Sequence, residues 1–248
     1  MKIVSIIQAR MGSSRFPGKV MALLNNKPMI GQLINQISFS SKIDDIILAT
    51  TNNPIDDVLT EYVTSLGFKV FRGSENNVLS RYYNAAKSAD ADIIIRNTGD
   101  NPLVDPTVID KLIQILITKK YDYVSNNLER SFPRGYDSEV LTLESIKSAL
   151  KKAKQPEYLE HVTLYHKTHK EEYKVKNIRA QKNQIRPSLR LTIDTKKDFE
   201  VVSKVYEFLQ KPNSFIPIGR VIEFLDSNPD IAKINYNVNQ KKVFGEYY

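Results

Sequence analysis

Arg10, Arg15 and Lys19 stand together in the stretch IIQARMGSSRFPGKVM, residues 6–21, interleaved with Gly12, Ser13, Ser14 and Gly18. Glycines and serines leave backbone N–H groups and hydroxyls free to face an anion, and the three cations add the charge that a triphosphate requires. The loop is not a Walker P-loop, because five residues rather than four separate Gly12 from Gly18, and Val20 stands where a Ser or Thr would meet magnesium. It is not a GxGxxG loop either.

Two carboxylates complete this chemistry. Asp100 lies in RNTGDNPLVDP between Gly99 and Asn101, on a turn after an apolar run, and Asp194 ends the apolar run of LTIDTKKDF. Mg²⁺ prefers one or two carboxylates together with phosphate oxygens, so the pair suits metal-assisted nucleotidyl transfer. Asp105, directly before Pro106, is the better helix cap and leaves Asp100 for the ion. At the second site Thr195 or Asp194 itself has the type and position of a cap. The segment PRGYDSEV brings Arg134, Tyr136, Asp137 and Glu139 together just past a turn, and read alone it is a polar hairpin. His161, His166 and His169 fall on one expected helix without any HExxH pattern, and His166 and His169 read as surface or packing residues.

The elements that must position these groups alternate in type. The β-like runs KIVSIIQ, DIILATT, FKVFRG, DIIIRNT and YDYVSNN are separated by helical patterns, which argues for βαβ units and a mostly parallel sheet. Ile109, Leu112, Ile113 and Leu116 follow helical spacing, as do Leu79, Tyr82, Tyr83 and Ala86, and later Phe199, Val202, Tyr206 and Leu209. After about residue 128 come a turn and strand in SFPRGYDSEVLTL, two helices in LESIKSALKKA and PEYLEHVTLYHKTH, and a buried strand in SLRLTIDT. Open parallel sheets bind ligands at the carboxyl ends of their strands, which selects residues 9–19, 50–57, 72–77, 97–105 and the surroundings of Asp194.

Composition bounds the function. The 248 residues are 41% hydrophobic and 26% charged with no cysteine, which fits one large α/β domain and excludes disulfides, thiolate metal sites and cysteine nucleophiles. No apolar run reaches the length of a membrane span or a signal peptide, so the expected location is the cytoplasm. The net charge of +8 suits an anionic ligand, while no helix-turn-helix, RRM or OB pattern supports nucleic acid as partner. Its excess between Lys147 and Arg190 reads as a solvated face.

Taken in order, IIQARMGSSRFPGKVM, LATTNNPIDDVL, FRGSENNVLSRYYNAA, RNTGDNPLVDPTVID, GYDSEVLTLESI, EHVTLY and LRLTIDTKKDFEVV resemble the cytidylyltransferase family of the Kdo and acylneuraminate enzymes, most closely its SpsF-like branch. The resemblance covers nearly the whole chain. It implies a Rossmann-like nucleotidyltransferase fold with a dimerisation subdomain at about residues 129–188, a homodimer, and Mg²⁺ as cofactor. It also implies the reaction, in which CTP and an acidic sugar give a CMP-sugar and pyrophosphate for surface polysaccharide or glycan synthesis. By position, Arg10, Ser13, Ser14, Arg15 and Lys19 would bind the triphosphate, with Arg10, Lys19 and Asp100 at the reacting centre and Arg72 beside the base. Asp100 and Asp194 would hold the metal, and Tyr136, Asp137, a partly buried Glu139 and His161 would face the acceptor. Asn76 and Asn77 depart from the acidic residues frequent in the branch, and Thr192 precedes Asp194 where acylneuraminate members carry an Asp. A sugar phosphate, polyol phosphate or phosphonate acceptor, another nucleotide donor, and a non-catalytic nucleotide-sugar-binding protein are the alternative readings.

Overall fold

The computed structural model describes residues 1–240 and the backbone of a terminal hairpin, Lys242–Val243 with Glu246–Tyr247. Its centre is a seven-stranded sheet in which β1 (Ile3–Gln8) lies between β4 (Asp45–Thr51) and β6 (Ile93–Thr98), all parallel, with β5 (Lys69–Gly73) parallel at the outer side of β4. The short pair β2 (Leu23–Leu24) and β3 (Lys27–Pro28) stands apart from it. Beyond β6 comes β8 (Glu139–Thr142), antiparallel to both β6 and β7 (Tyr123–Ser125), and then β9 (Val175–Asn177), parallel to β7. The order is therefore β5-β4-β1-β6-β8-β7-β9. Part of the segment 129–188 is thus built into the main sheet, since it supplies β8 and β9.

Alternate residues of each strand enter two apolar layers, as the pleat requires. Ile3, Ile7, Ile93 and Ile95 pack with α1 (Met29–Ile37), α2 (Asp57–Ser65), α4 (Pro106–Lys119), α8 (Lys196–Leu209) and α9 (Ile218–Ser227). Val4, Ile6, Ile94 and Leu141 pack on the opposite face with α3 (Val78–Ser88) and α5 (Leu143–Lys152). Each fully buried Leu, Ile or Val favours this three-layer arrangement by about 1.5–3 kcal/mol over an exposed one.

Caps act where the residue types placed them. Asp105 accepts from Thr107 N at 2.8 Å to start α4, and its other oxygen accepts from Ile218 N at 2.9 Å to fix the entry of α9. Thr195 and Asp198 form a reciprocal capping box on α8, and Asn77 caps α3.

Two expectations need correction. Residues 188–194 form no strand of the sheet, for they make a single bridge between Arg190 and Arg134 and otherwise bond to loops: Leu191 N to Arg134 O at 2.6 Å and Ile193 N to Asp100 O at 2.8 Å. Leu191 and Ile193 are nonetheless fully buried, so the apolar run came from core packing and not from sheet pairing. Residues 156–168 are two short helices, α6 (Pro156–Glu160) and α7 (Leu164–Thr168), broken at His161–Thr163. The last short helix, α10, spans Pro229–Lys233.

Candidate active site

The strand order reverses between β1 and β6, and there the carboxyl ends of the two strands open into a cleft of about 450 Å³. Gln8 and Ala9 form one lip, and Thr98, Gly99 and Asp100 the other. Gly99 permits this closeness: its N–H donates to Gln8 O at 2.7 Å, and a Cβ there would lie 2.7 Å from the Ala9 methyl. Any larger residue would push the two strand ends apart.

The basic loop curls over the cleft from β1. Gly18 N donates to Met11 O at 3.0 Å, Met11 N donates to Asp56 at 2.7 Å, and Phe16 packs edge-on against Phe199 with ring centroids 5.5 Å apart. Gly18, at φ 70°, turns the chain into a short helical turn at Lys19–Met21. Arg10, Ser13, Ser14, Arg15 and Lys19 all line the cleft, and Arg10 pairs at its rim with Glu75 at 2.5 Å.

Lys19 is the centre of this half. Its ammonium lies 3.1 Å from Asp194 Oδ1 and 3.7 Å from Asp100 Oδ2, and it donates to Ile193 O at 2.5 Å. Asp194 also meets Arg15 at 2.9 Å and Arg190 at 2.8 Å. Burial favours the neutral acid of Asp194, but Lys19, Arg15 and Arg190 outweigh it and hold the carboxyl below its ordinary range. Behind them the fully buried Asp198 accepts from Arg190 Nε at 2.8 Å and from Asp194 N at 3.0 Å, which fixes both partners. Thr98 donates to Asp100 at 2.5 Å.

The donor chemistry fits a small hard cation. Asp100 and Asp194 converge on one positive group, and among the described residues no cluster of three His, Cys, Asp or Glu offers a closed metal cage. A Mg²⁺ bound here would need further oxygens from a substrate.

The other half of the cleft is built on Glu139. This carboxylate, only 1% exposed, accepts from the Tyr123 hydroxyl, from Thr163 Oγ1 at 2.9 Å and from Arg96, and it meets Lys167 at 3.0 Å. Burial alone would raise its pKa, but Lys167 and Arg96 reverse the shift and hold it far below the usual carboxylate range. Asp137 forms a two-pronged pair with Arg130 at 2.8 and 3.2 Å. Arg134 also lines this side, with burial and the neighbouring Arg130 drawing its pKa down to about 10. Gly135, at φ +111°, lets the turn carrying these residues lie on the Leu191–Thr192 backbone, where a Cβ would approach within 2.5 Å.

Of the residues singled out in the sequence, the structure gathers Arg10, Ser13, Ser14, Arg15, Lys19, Asp100, Asp137, Glu139, His161 and Asp194 around one cleft. Two lie elsewhere. Arg72 does not line it: its guanidinium bonds to Thr51 O and Asn53 O, each at 2.8 Å, and to Asp57 at 2.6 Å, which ties down the turn after β4. Tyr136 is a core residue, 1% exposed, and its ring faces the apolar layer instead of the cleft. No residue of the loops 50–57 and 72–77 is among those lining the cleft; the loops hold the basic loop instead, through Asp56 on Met11 N and Glu75 on Arg10 at the rim. His166 is buried between Tyr123 and Tyr173, and His169 stacks on Tyr165 at 3.9 Å, so both are packing residues.

Sequence reasoning missed Arg96, Arg130, Lys167 and Arg190. Arg96 did carry a signal, as the one charged residue inside the buried run IIIRNT of β6. Arg190 carried the same signal inside the apolar run SLRLTIDT, whereas Arg130 and Lys167 sit on segments that look solvated in the sequence.

A doubly wound sheet with a basic loop, two converging carboxylates and a polar second half at the strand switch point defines a nucleotidyltransferase. A family model described as cytidylyltransferase matches residues 4–233. The spore coat polysaccharide biosynthesis protein SpsF of Bacillus subtilis is 35% identical over 93% of this chain and 96% of its own. A protein of Methanocaldococcus jannaschii, described as uncharacterised, is 43% identical over 97% of each chain. A solved cytidylyltransferase from Leptospira borgpetersenii superposes with a TM-score of 0.89 at 31% identity, covering 98% of this chain and 99% of that one. The chain belongs to the cytidylyltransferase family.

Proposed function

We propose that the protein transfers the cytidylyl group of CTP to a hydroxyl of an acidic sugar, giving a CMP-sugar and pyrophosphate for surface polysaccharide or glycan synthesis. The observation that carries this reading is the position of Lys19, held between Asp100 and Asp194 beneath the basic loop. An ammonium between two carboxylates is poised to exchange partners. When a triphosphate enters, Lys19 turns to its oxygens and the two carboxylates are released toward a cation.

Arg10 and Arg15, with Ser13 and Ser14, then grip the phosphates. Arg190 and Asp198 keep Asp194 in place while its Lys19 contact loosens. Asp100 and Asp194 would hold Mg²⁺, which supplies charge neutralisation on the α-phosphate and the leaving pyrophosphate. The acceptor lies on the β8 side, where Asp137 and His161 line the cleft. Its hydroxyl oxygen bonds to the α-phosphorus as the α–β phosphoanhydride bond breaks and pyrophosphate departs in line, the hydroxyl proton passing to solvent, and positioning supplies most of the rate. No residue is assigned as a general base.

The family name supports cytidine as the donor, and the basic acceptor half supports an anionic acceptor. The test is pyrophosphate release from CTP and Mg²⁺ with Kdo, N-acetylneuraminate and other nonulosonic acids, against neutral sugars and phosphorylated polyols. Release with an acid supports the proposal. Release only with a phosphorylated acceptor, or only with another nucleotide, would replace that part of it.

A further inference from the structure

Glu139 lines the cleft with a carboxylate that its own partners largely cover, while the two cations bound to it are more open. Exposure falls from 19% for the Arg96 side chain and 13% for Lys167 to 1% for Glu139. Each cation takes a different carboxylate oxygen, Lys167 on Oε1 and Arg96 on Oε2. The Tyr123 hydroxyl and Thr163 Oγ1 occupy further acceptor positions of Oε1. The guanidinium of Arg96 is further supported 5.9 Å above the Tyr82 ring, and Lys167 reaches Asn127 Oδ1 at 3.4 Å.

From this arrangement we infer that Arg96 and Lys167 form a two-pronged receptor for the anionic group of the acceptor, a carboxylate or a phosphate, and that Glu139 is a positioning residue that sets the spacing of the prongs. The inference rests on the proposed role of the cleft and adds the acceptor's point of attachment.

Three observations support it. Arg96 and Lys167 both bear on the one carboxylate of Glu139 and both line the cleft, and cationic groups along a cleft favour an anion in it. Arg96 and Thr98 lie two residues apart on β6 and so share a face of the sheet, and Thr98 holds Asp100. Arg96 is therefore on the same wall as Asp100, separated from Thr98 by about 7 Å of strand at about 3.3 Å per residue. Finally, the break between α6 and α7 turns His161, Thr163 and Lys167 together toward the cleft, which one continuous helix of this segment would not do.

The test uses the full-length chain with CTP saturating and no Mg²⁺, so that the phosphate loop is filled and no turnover occurs. Melting temperature is followed against Kdo and, separately, inorganic phosphate, for the wild type, Lys167→Met and Lys167→Arg. Either anion should stabilise the wild type. Lys167→Met should weaken its apparent affinity about tenfold or more, as expected for loss of a charge-assisted bond. Lys167→Arg should retain most of the affinity, and the CTP midpoint should be the same for all three chains. A preference for Kdo over phosphate would assign a carboxylate, and the reverse a phosphate. Equal anion affinity in the wild type and Lys167→Met would overturn the receptor. So would a wild type that responds to CTP and to neither anion, and that result would leave the nucleotide reading standing. Failure to respond to CTP at all would remove both.

Discussion

Lys19 Nζ lies 3.1 Å from Asp194 Oδ1, inside a site where Asp194 has two further cationic partners, Arg15 and Arg190. The ammonium also lies 3.7 Å from Asp100. One lysine thus screens two carboxylates from each other. Exchange of that lysine between carboxylate and phosphate is the hinge of the proposed chemistry.

Lys19→Met should expose this screening. With the ammonium gone, Asp100 and Asp194 face each other with their repulsion relieved only at Asp194. Mg²⁺ without nucleotide should then raise the melting temperature of the variant more than that of the wild type, in which Lys19 already occupies the place between them. Paired melting curves with Mg²⁺ and with EDTA check this, and an equal Mg²⁺ response in both chains would count against shared use of the carboxylates.

Asp100→Asn should leave the fold intact and remove activity. The side chain is 28% exposed, and an amide of the same shape keeps an acceptor for the Thr98 hydroxyl. Its loss of charge at the reacting phosphate should lower kcat about a thousandfold or more, with the melting temperature nearly unchanged. Steady-state pyrophosphate release with calorimetry on the same sample reads both quantities.

Much of this site was legible in the sequence, and the reason is local. The basic loop, the Asp100 turn and the Asp105 cap each depend on residues within about ten positions, so type and spacing were enough. The strands of the parallel half were legible because a buried strand reads as a continuous apolar run. SLRLTIDT gave the same signal and is no strand, since Leu191 and Ile193 bury against the core from a segment bonded to Arg134 and Asp100. Tyr136 was placed at the site by resemblance, and Arg72 by resemblance together with the strand-end rule that selected residues 72–77; what their side chains touch depends on contacts that neither position in a motif nor position at a strand end contains. The Glu139 cluster was hidden for the same reason. Its members come from β6, β7, β8, the α6–α7 break and α7, and the antiparallel pairing of β8 with β6 and β7 brings the strand members together.

Gly135→Ala should destabilise the protein and disturb the acceptor half first. A Cβ would meet the Leu191–Thr192 backbone at 2.5–2.7 Å from a residue at φ +111°, neither of which can relax cheaply. The expected cost is about 2–4 kcal/mol. Chemical denaturation measures it, and a variant as stable as the wild type would show that the turn carrying Arg134 and Asp137 does not rest where described.

Stability should fall on acidification in two stages. Burial lowers the His166 imidazole from 6.5 to about 4, so between those values the unfolded chain binds the extra proton. Folding stability therefore decreases as pH drops through this window, by about 3 kcal/mol in all. Glu139, with its pKa depressed in the folded state, contributes stability that is complete above about 4.5 and is lost as pH falls below it. His166→Leu should flatten the first stage and spare the second. Denaturation midpoints from about pH 2.5 to pH 7 read both stages, and an unchanged slope between 4 and 6.5 in the variant would remove His166 from the first.

The measurement that tests the central claim most directly needs no acceptor. The melting temperature is recorded with CTP, UTP, ATP and GTP, each with and without Mg²⁺. A nucleotide at about 100 times its dissociation constant adds about 2.7 kcal/mol to the folded state. For a chain of this size that is a rise of roughly 5–10 °C. The account predicts this rise for CTP with Mg²⁺, a smaller one for CTP alone, and little for the other three. An equal or larger rise with UTP, ATP or GTP would contradict CTP as the donor, and no rise with any nucleotide would contradict the assignment of the basic loop and its paired carboxylates to nucleotide binding.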